Sequence, residues 1–168
     1  QKIVSQWGGG DKLAERSERY VLTKHGIEIA NAWFPLGSGL GTYGGAGAQK
    51  FDQSYFVQLG FDQYWWFRQG QFIVDIYWPS VVAEAGWIGG GLLLLAYLLI
   101  WFALLRAVCR DGPVNPAAWI AMGLLTLNLL NSPTSAAISD PRSAFWMWLL
   151  IGAGLAAVLR PNRSAPLT

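Results

Sequence analysis

Four side chains set the chemistry open to this chain. Arg16 and Arg19 stand three residues apart in ERSER, so on a helix they lie one turn apart on adjoining parts of one face. Thr23 and Gly26 continue that face and leave room beside it. A guanidinium binds two oxygens of a phosphate at once through its planar fork, so the face suits an anion. A solvated face with Glu–Arg pairs fits the same residues. Further on, VDIYWPSVVAEAGWIGG places Asp75 just before Tyr77 and Trp78, and Glu84 inside a run that grows apolar. An acid in or near a membrane span is a functional candidate by default. Asp75 also fits a helix cap or a solvated interface residue, and Glu84 fits a partner for an arginine elsewhere.

Between these groups runs LGSGLGTYGG. Gly39-Leu40-Gly41-Thr42-Tyr43-Gly44 matches G-x-G-x-x-G in form, but a dinucleotide site needs a strand before it and a helix after it. Here a helical pattern and a proline come first. Glycines at Gly37, Gly39 and Gly41 would still let the backbone approach a ligand closely, and backbone amides can form an anion nest. A tight connection is the alternative. His25 is the only histidine and Cys109 the only cysteine, so neither a disulfide nor a His/Cys metal site is expected, and no cofactor. His25 reads as a surface helix residue. The chain has no G-x-S-x-G, P-loop or H-E-x-x-H, which leaves hydrolase, NTPase and metalloprotease readings without support.

The elements that must position these groups are helical. A helix is expected over about 12–32, with Asp11 as cap and Glu15 in the first turn, ended by Trp33-Phe34-Pro35. A glycine-rich loop follows over 36–47. Residues 51–70 hold Phe51, Tyr55, Phe56, Phe61, Tyr64, Trp65, Trp66 and Phe67, read as short helices on a membrane surface. Pro79 then fits the first turn of a long helix, and Gly86, Gly89, Gly90 and Gly91 give it a smooth face for close packing.

Three apolar runs follow and predict spans over about 80–106, 116–131 and 144–160. Composition agrees: 53% of residues are hydrophobic, only 13% are charged, mean hydropathy is +0.30 and there are 10 Trp. Residues 1–78 hold seven of the 12 Lys and Arg and seven of the 10 Asp and Glu. A net charge of +2 with scattered basic residues excludes a nucleic-acid stripe. Arg106 and Arg110 against Asp111, and Arg160 with Arg163, put the first loop and the tail in the cytoplasm. Arg142 is balanced by Asp140, so residues 131–143 and 1–78 fall outside, in a bacterial periplasm. The expected fold is an all-α polytopic membrane protein, with a periplasmic loop region before the spans.

An arginine-bearing helix, then FPLGSGLGTYG, an aromatic segment, and DIYWPSVVAEAGWIGG before a span resemble the bacterial O-antigen ligase and Wzy-type polysaccharide polymerase superfamily. The wording is nearer its exopolysaccharide and capsule polymerase branch. The resemblance runs from about Glu15 to Leu105, with the following spans in matching order. It implies a metal-independent GT-C-type glycosyltransferase of the inner membrane. Such an enzyme joins glycan repeat units linked to undecaprenyl pyrophosphate. Arg19 matches the arginine that holds the pyrophosphate, with Arg16 as alternate. Asp75 stands where the ligases carry a histidine base, which turns the reading towards a polymerase. Gly37, Gly39 and Gly41 would lie near the diphosphate, Tyr77 and Trp78 near glycan or lipid, and Glu84 would position. The implied partners are the lipid-linked oligosaccharide, the bilayer, N-terminal spans of the same longer protein, a flippase and a chain-length regulator. An O-antigen or oligosaccharyl ligase is the alternative within the superfamily. A non-catalytic membrane scaffold or transporter subunit is the alternative outside it.

Overall fold

A computed structural model describes residues 18–51, 53–70, 76–111, 116–133 and 135–159. Among these it is all-helical, without strands. The order is α1 (Glu18–Ala32), α2 (Ala46–Phe51), α3 (Ser54–Gln58), a 3-10 turn (Phe61–Gln63), α4 (Trp65–Arg68), α5 (Trp78–Asp111), α6 (Pro116–Asn131) and α7 (Pro141–Leu159). The described residues gather into two units. One falls within Gln1–Leu93 and Ser132–Ala136, the other within Leu94–Asn131 and Ala137–Thr168.

In the first unit, α1 ends at Ala32, where the residues before Pro35 leave the helical region. Its expected start near residue 12 lies outside the described residues, as do Asp11 and Glu15. Val21, Leu22, Gly26, Ile29 and Ala30 are its buried stripe. Gly26 does not leave room for an anion: a Cβ there would come within 2.8 Å of the Pro79 carbonyl oxygen. The missing side chain lets α1 pack onto the start of α5, so the space foreseen beside the arginine face is filled by Pro79.

The aromatic segment forms short helices, as expected, but much of it faces inward. Phe56, Phe61 and Trp66 are fully buried and Phe67 nearly so, joined with Leu22, Ile29, Tyr43 and Ile76 in one core. Phe61 stands edge-on to both Phe56 and Trp66, the arrangement that ring quadrupoles favour. Burying each such ring contributes about 1.5–3 kcal/mol. These short helices carry too few backbone hydrogen bonds to hold themselves, so the rings fold them. Among the described residues the Trp66 indole N–H is buried without a hydrogen-bond partner. Only Phe51 and Trp65 keep the outward position of an interface belt.

Helix α5 starts at Trp78 with Pro79 in its first turn. Over Trp78–Cys109 it is long and apolar enough to cross a membrane, and only 22% of its most apolar window is buried, unlike the core helix of a soluble protein. It is not continuous. Gly86 has φ 70° and ψ −178°, a combination open essentially to glycine alone.

In the second unit α6 packs along α7. Gly154 lies against Ala117 and Ala121, small residues that let the two backbones approach. Trp101 donates its indole N–H to Thr126 Oγ1 at 2.9 Å, and Tyr97 stacks on Trp148. Inside are Ala107, Ala118, Ala121 and Leu125; outside are Leu99, Phe102, Ile120, Leu127, Leu130 and Trp146. Larger side chains are buried as well, among them Leu104, Met147 and Ile151, while large apolar ones also cover the outer faces of these helices. At 16 residues α6 is a shorter apolar helix than α5. Asp140 caps α7, accepting from the Ser143 amide at 3.1 Å, and that bond holds its carboxyl below the usual range.

Replacing Gly86 with alanine would drive a Cβ into the Pro35 carbonyl and force a disfavoured backbone. We expect G86A to destabilise the first unit by at least about 2 kcal/mol. G91A, whose Cβ meets nothing within 4 Å, should be neutral or stabilising by up to about 1 kcal/mol. Denaturant unfolding in detergent compares the two.

Candidate functional site

A break in a helix orphans the carbonyls before it and the amides after it. At Gly86 these groups find partners in the glycine loop. Ser38 donates its amide to the Ala83 carbonyl at 2.8 Å, and Gly39 donates to the Glu84 carbonyl at 3.0 Å. In return the Ile88 amide reaches the Pro35 carbonyl at 3.4 Å. The Ser38 hydroxyl adds a second bond to the Ala83 carbonyl at 3.1 Å. The loop replaces the helix's own ladder across the break.

The approach is so close that side chains are excluded on both sides. A Cβ on Gly37 would strike the Glu84 and Ala83 carbonyls, and one on Gly86 would strike Pro35 and Leu36. Gly37, Gly39 and Gly41 all have positive φ, at 77°, 105° and 81°. The amides of Gly37 and Gly39 are committed to the Trp33 and Glu84 carbonyls, so at these two positions the glycines serve backbone packing rather than an open amide nest.

A second contact locks the loop one turn further on. The Tyr43 amide donates to Glu84 Oε1 at 2.9 Å, and Ser80 Oγ donates to the Tyr43 carbonyl at 3.1 Å. The Tyr43 hydroxyl donates to the Leu22 carbonyl at 2.7 Å, and its ring stacks on Phe56. Tyr43 therefore joins α1, the loop, α3 and α5. Burial holds its hydroxyl proton well above the ordinary pKa of 10.0, and the Glu28 carboxylate adds to the rise. Nothing but its place as the lone aromatic in a glycine loop marks this residue in the sequence.

Glu84 is half-buried, with its carboxylate against Gly45 and the Tyr43 amide as its hydrogen-bond donor among the described residues. Arg19 lies half-buried in the first turns of α1. Arg16 and Asp75 lie outside the described residues. Tyr77 is buried at 7% exposure, edge-on to the half-buried Trp78. Trp78 donates its indole N–H to the buried Ser132 hydroxyl at 2.7 Å. His25 contacts Glu28 at 3.1 Å and leans on Phe61, in keeping with a helix-surface role.

Beside the clasp opens a cleft of about 270 Å³. Trp33, Ser38 and Thr42 bound it from the loop, and Tyr55 and Gln58 from α3. It was not foreseen. Its residues come from the loop and from α3, which the Tyr43–Phe56 stack also joins. No family model, curated protein or solved structure matches the chain.

Two outcomes follow for the clasp. E84A should leave the buried Tyr43 amide unpaired and destabilise the loop by about 1–3 kcal/mol, whereas E84Q keeps an acceptor oxygen and stays near wild type. Hydrogen exchange of peptides covering 38–45 reports both. A raised tyrosine pKa means that the folded state holds a proton the unfolded state has lost. Stability should therefore fall as pH rises above about 10. Y43F should flatten that fall, read by denaturant unfolding across the alkaline range.

Proposed function

We propose that the chain is the C-terminal part of a polytopic glycosyltransferase of a bacterial inner membrane. It polymerises glycan repeat units carried on undecaprenyl pyrophosphate, working at the periplasmic face. One observation supports this reading most. FPLGSGLGTYG and DIYWPSVVAEAGWIGG, the stretches that carry the resemblance, interlock through Ser38, Gly39, Tyr43 and Glu84. Motifs that act at one centre have reason to be held together in this way. The long apolar α5 and the outward apolar side chains of α6 and α7 support the membrane setting.

In this reaction an acceptor hydroxyl attacks the anomeric carbon of the donor sugar. The new glycosidic bond forms as the bond to the diphosphate breaks. Asp75 takes the hydroxyl proton, for which a carboxylate near an apolar boundary is suited. Negative charge grows on the departing diphosphate, and the guanidiniums of Arg19 and Arg16 offset it with paired hydrogen bonds. Glu84 is a positioning residue: its carboxylate holds Tyr43, and through it the glycine loop, against α5. Residues 1–78 face the periplasm in this arrangement, and the C-terminus faces the cytoplasm.

The test uses the full-length protein in membranes, with polymer length read on a gel and abundance checked by blot. R19A and D75N should each lower polymer formation at least tenfold. R19K should fail too, because an ammonium cannot form the paired bonds. E84Q should keep polymer where E84A loses it, which separates positioning from proton transfer. Normal polymer from both R19A and D75N would sink the assignment.

A further inference from the structure

The cleft beside the clasp has a chemistry of its own. Trp33 and Tyr55 supply aromatic surface, Ser38 and Thr42 supply hydroxyls, and Gln58 supplies a carboxamide. Among the described residues no charged side chain lines it. An anion entering it would lose water without meeting a cation, which is strongly unfavourable. A purely apolar ligand would strip water from the hydroxyls and the amide and return nothing. The lining suits a molecule with both a carbon–hydrogen face and neutral hydroxyls.

The hydroxyls are oriented from within. Ser38 Oγ and Thr42 Oγ1 lie 2.6 Å apart, with the Ala83 and Gly39 carbonyls at 3.1 and 2.7 Å. The two hydroxyl protons are shared among these three contacts, so one oxygen accepts from the other, and the lone pairs that remain can accept from a ligand. Gln58 can both donate and accept. Trp33 is 57% exposed, although its backbone is fixed on both sides, by its amide on Ile29 and its carbonyl under Gly37. A large exposed ring on a fixed stretch of backbone is a ready stacking surface. The volume sits just under the range of about 300–1,000 Å³ usual for small-molecule clefts, so it fits a single ring.

We propose that this cleft is a saccharide subsite, which binds one uncharged sugar ring by stacking on Trp33 and hydrogen bonding to Ser38, Thr42 and Gln58. The inference deepens the proposed function, on which it rests for the sugar being part of a lipid-linked glycan. The lipid diphosphate belongs elsewhere, with the arginines. The cleft holds the sugar and is indifferent to the anion.

Saturation-transfer NMR on the full-length protein in nanodiscs tests this with methyl glycosides of glucose, galactose, mannose and N-acetylglucosamine. Methyl glucuronide and inorganic pyrophosphate serve as charged probes. At least one neutral glycoside should show transfer that pyrophosphate does not compete away. Q58A and W33A should each weaken that binding about tenfold. Q58A changes an exposed position on α3 and keeps the test valid if W33A perturbs folding. Absence of transfer to every neutral glycoside overturns the subsite, as does tighter binding of the glucuronide or unaltered binding in Q58A. Glycoside binding that depends on Gln58, in a protein that makes no polymer, would uphold the subsite and sink the polymerase reading. Polymer formation with no glycoside binding would do the reverse.

Discussion

A helix cannot be broken beside an apolar environment unless the backbone groups freed at the break find new partners. Gly86 imposes that condition on this protein, and the loop 35–39 meets it. The Ala83 and Glu84 carbonyls take their protons from Ser38 and Gly39, and the Ile88 amide gives its own to Pro35. The exchange is reciprocal. The loop has no regular structure of its own and would leave its amides to water, and the helix would leave two carbonyls bare. Each makes the other's irregularity tolerable, which explains why Gly37 and Gly86 face each other with no space for a side chain on either.

From that contact the rest of the first unit follows. Once residues 37–39 are fixed on α5, Tyr43 comes to lie over Ser80 and Glu84, and its hydroxyl reaches α1. Its ring then gives Phe56 a surface to stack on, and Phe61 packs edge-on to Phe56. Helices of four to six residues, two of them without a side-chain N-cap bond, would not persist alone. They persist because the aromatic core, seeded by a residue the loop positions, pays for their order.

The sequence made the helical class, the end of α1 before Pro35, the place of Pro79 in the first turn of α5 and the apolar character of α5 to α7 legible, because each rests on local chemistry. Proline restricts its neighbours and apolar runs declare themselves. The aromatic segment was harder. Trp65 and Trp66 are adjacent and identical in type, yet one is 58% exposed and the other buried. Only the path of short helices decides which points inward. The glycine loop was legible as a place of close approach but not for what it approaches: the partner is a helix of the same chain. Gly26 was misjudged for the same reason, since the space beside it belongs to Pro79, far along the sequence. Glu84 was singled out as an acid entering an apolar run, and its partner, a backbone amide, carries no side-chain signature. Arg16 and Asp75 lie outside the described residues, so for them the sequence remains the whole of the argument.

The clasp also accounts for side chains that would otherwise look misplaced. Phe34 and Leu36 are each 70% exposed and Leu40 is 85% exposed, in a loop whose backbone is tightly held. A free loop would turn such residues inward, since burying each contributes about 1.5–3 kcal/mol. This one cannot, because its inner surface is backbone pressed on backbone at Gly37 and Gly86. The loop's apolar side chains must point away from α5. They do so beside Gly86, where α5's own exposed side chains become large and apolar at Trp87, Ile88 and Leu92. Loop and helix thus both expose large apolar side chains near the point where their backbones meet. The glycine loop thus has two faces: a backbone face that mends the helix, and a side-chain face of exposed apolar residues, with the cleft opening beside them.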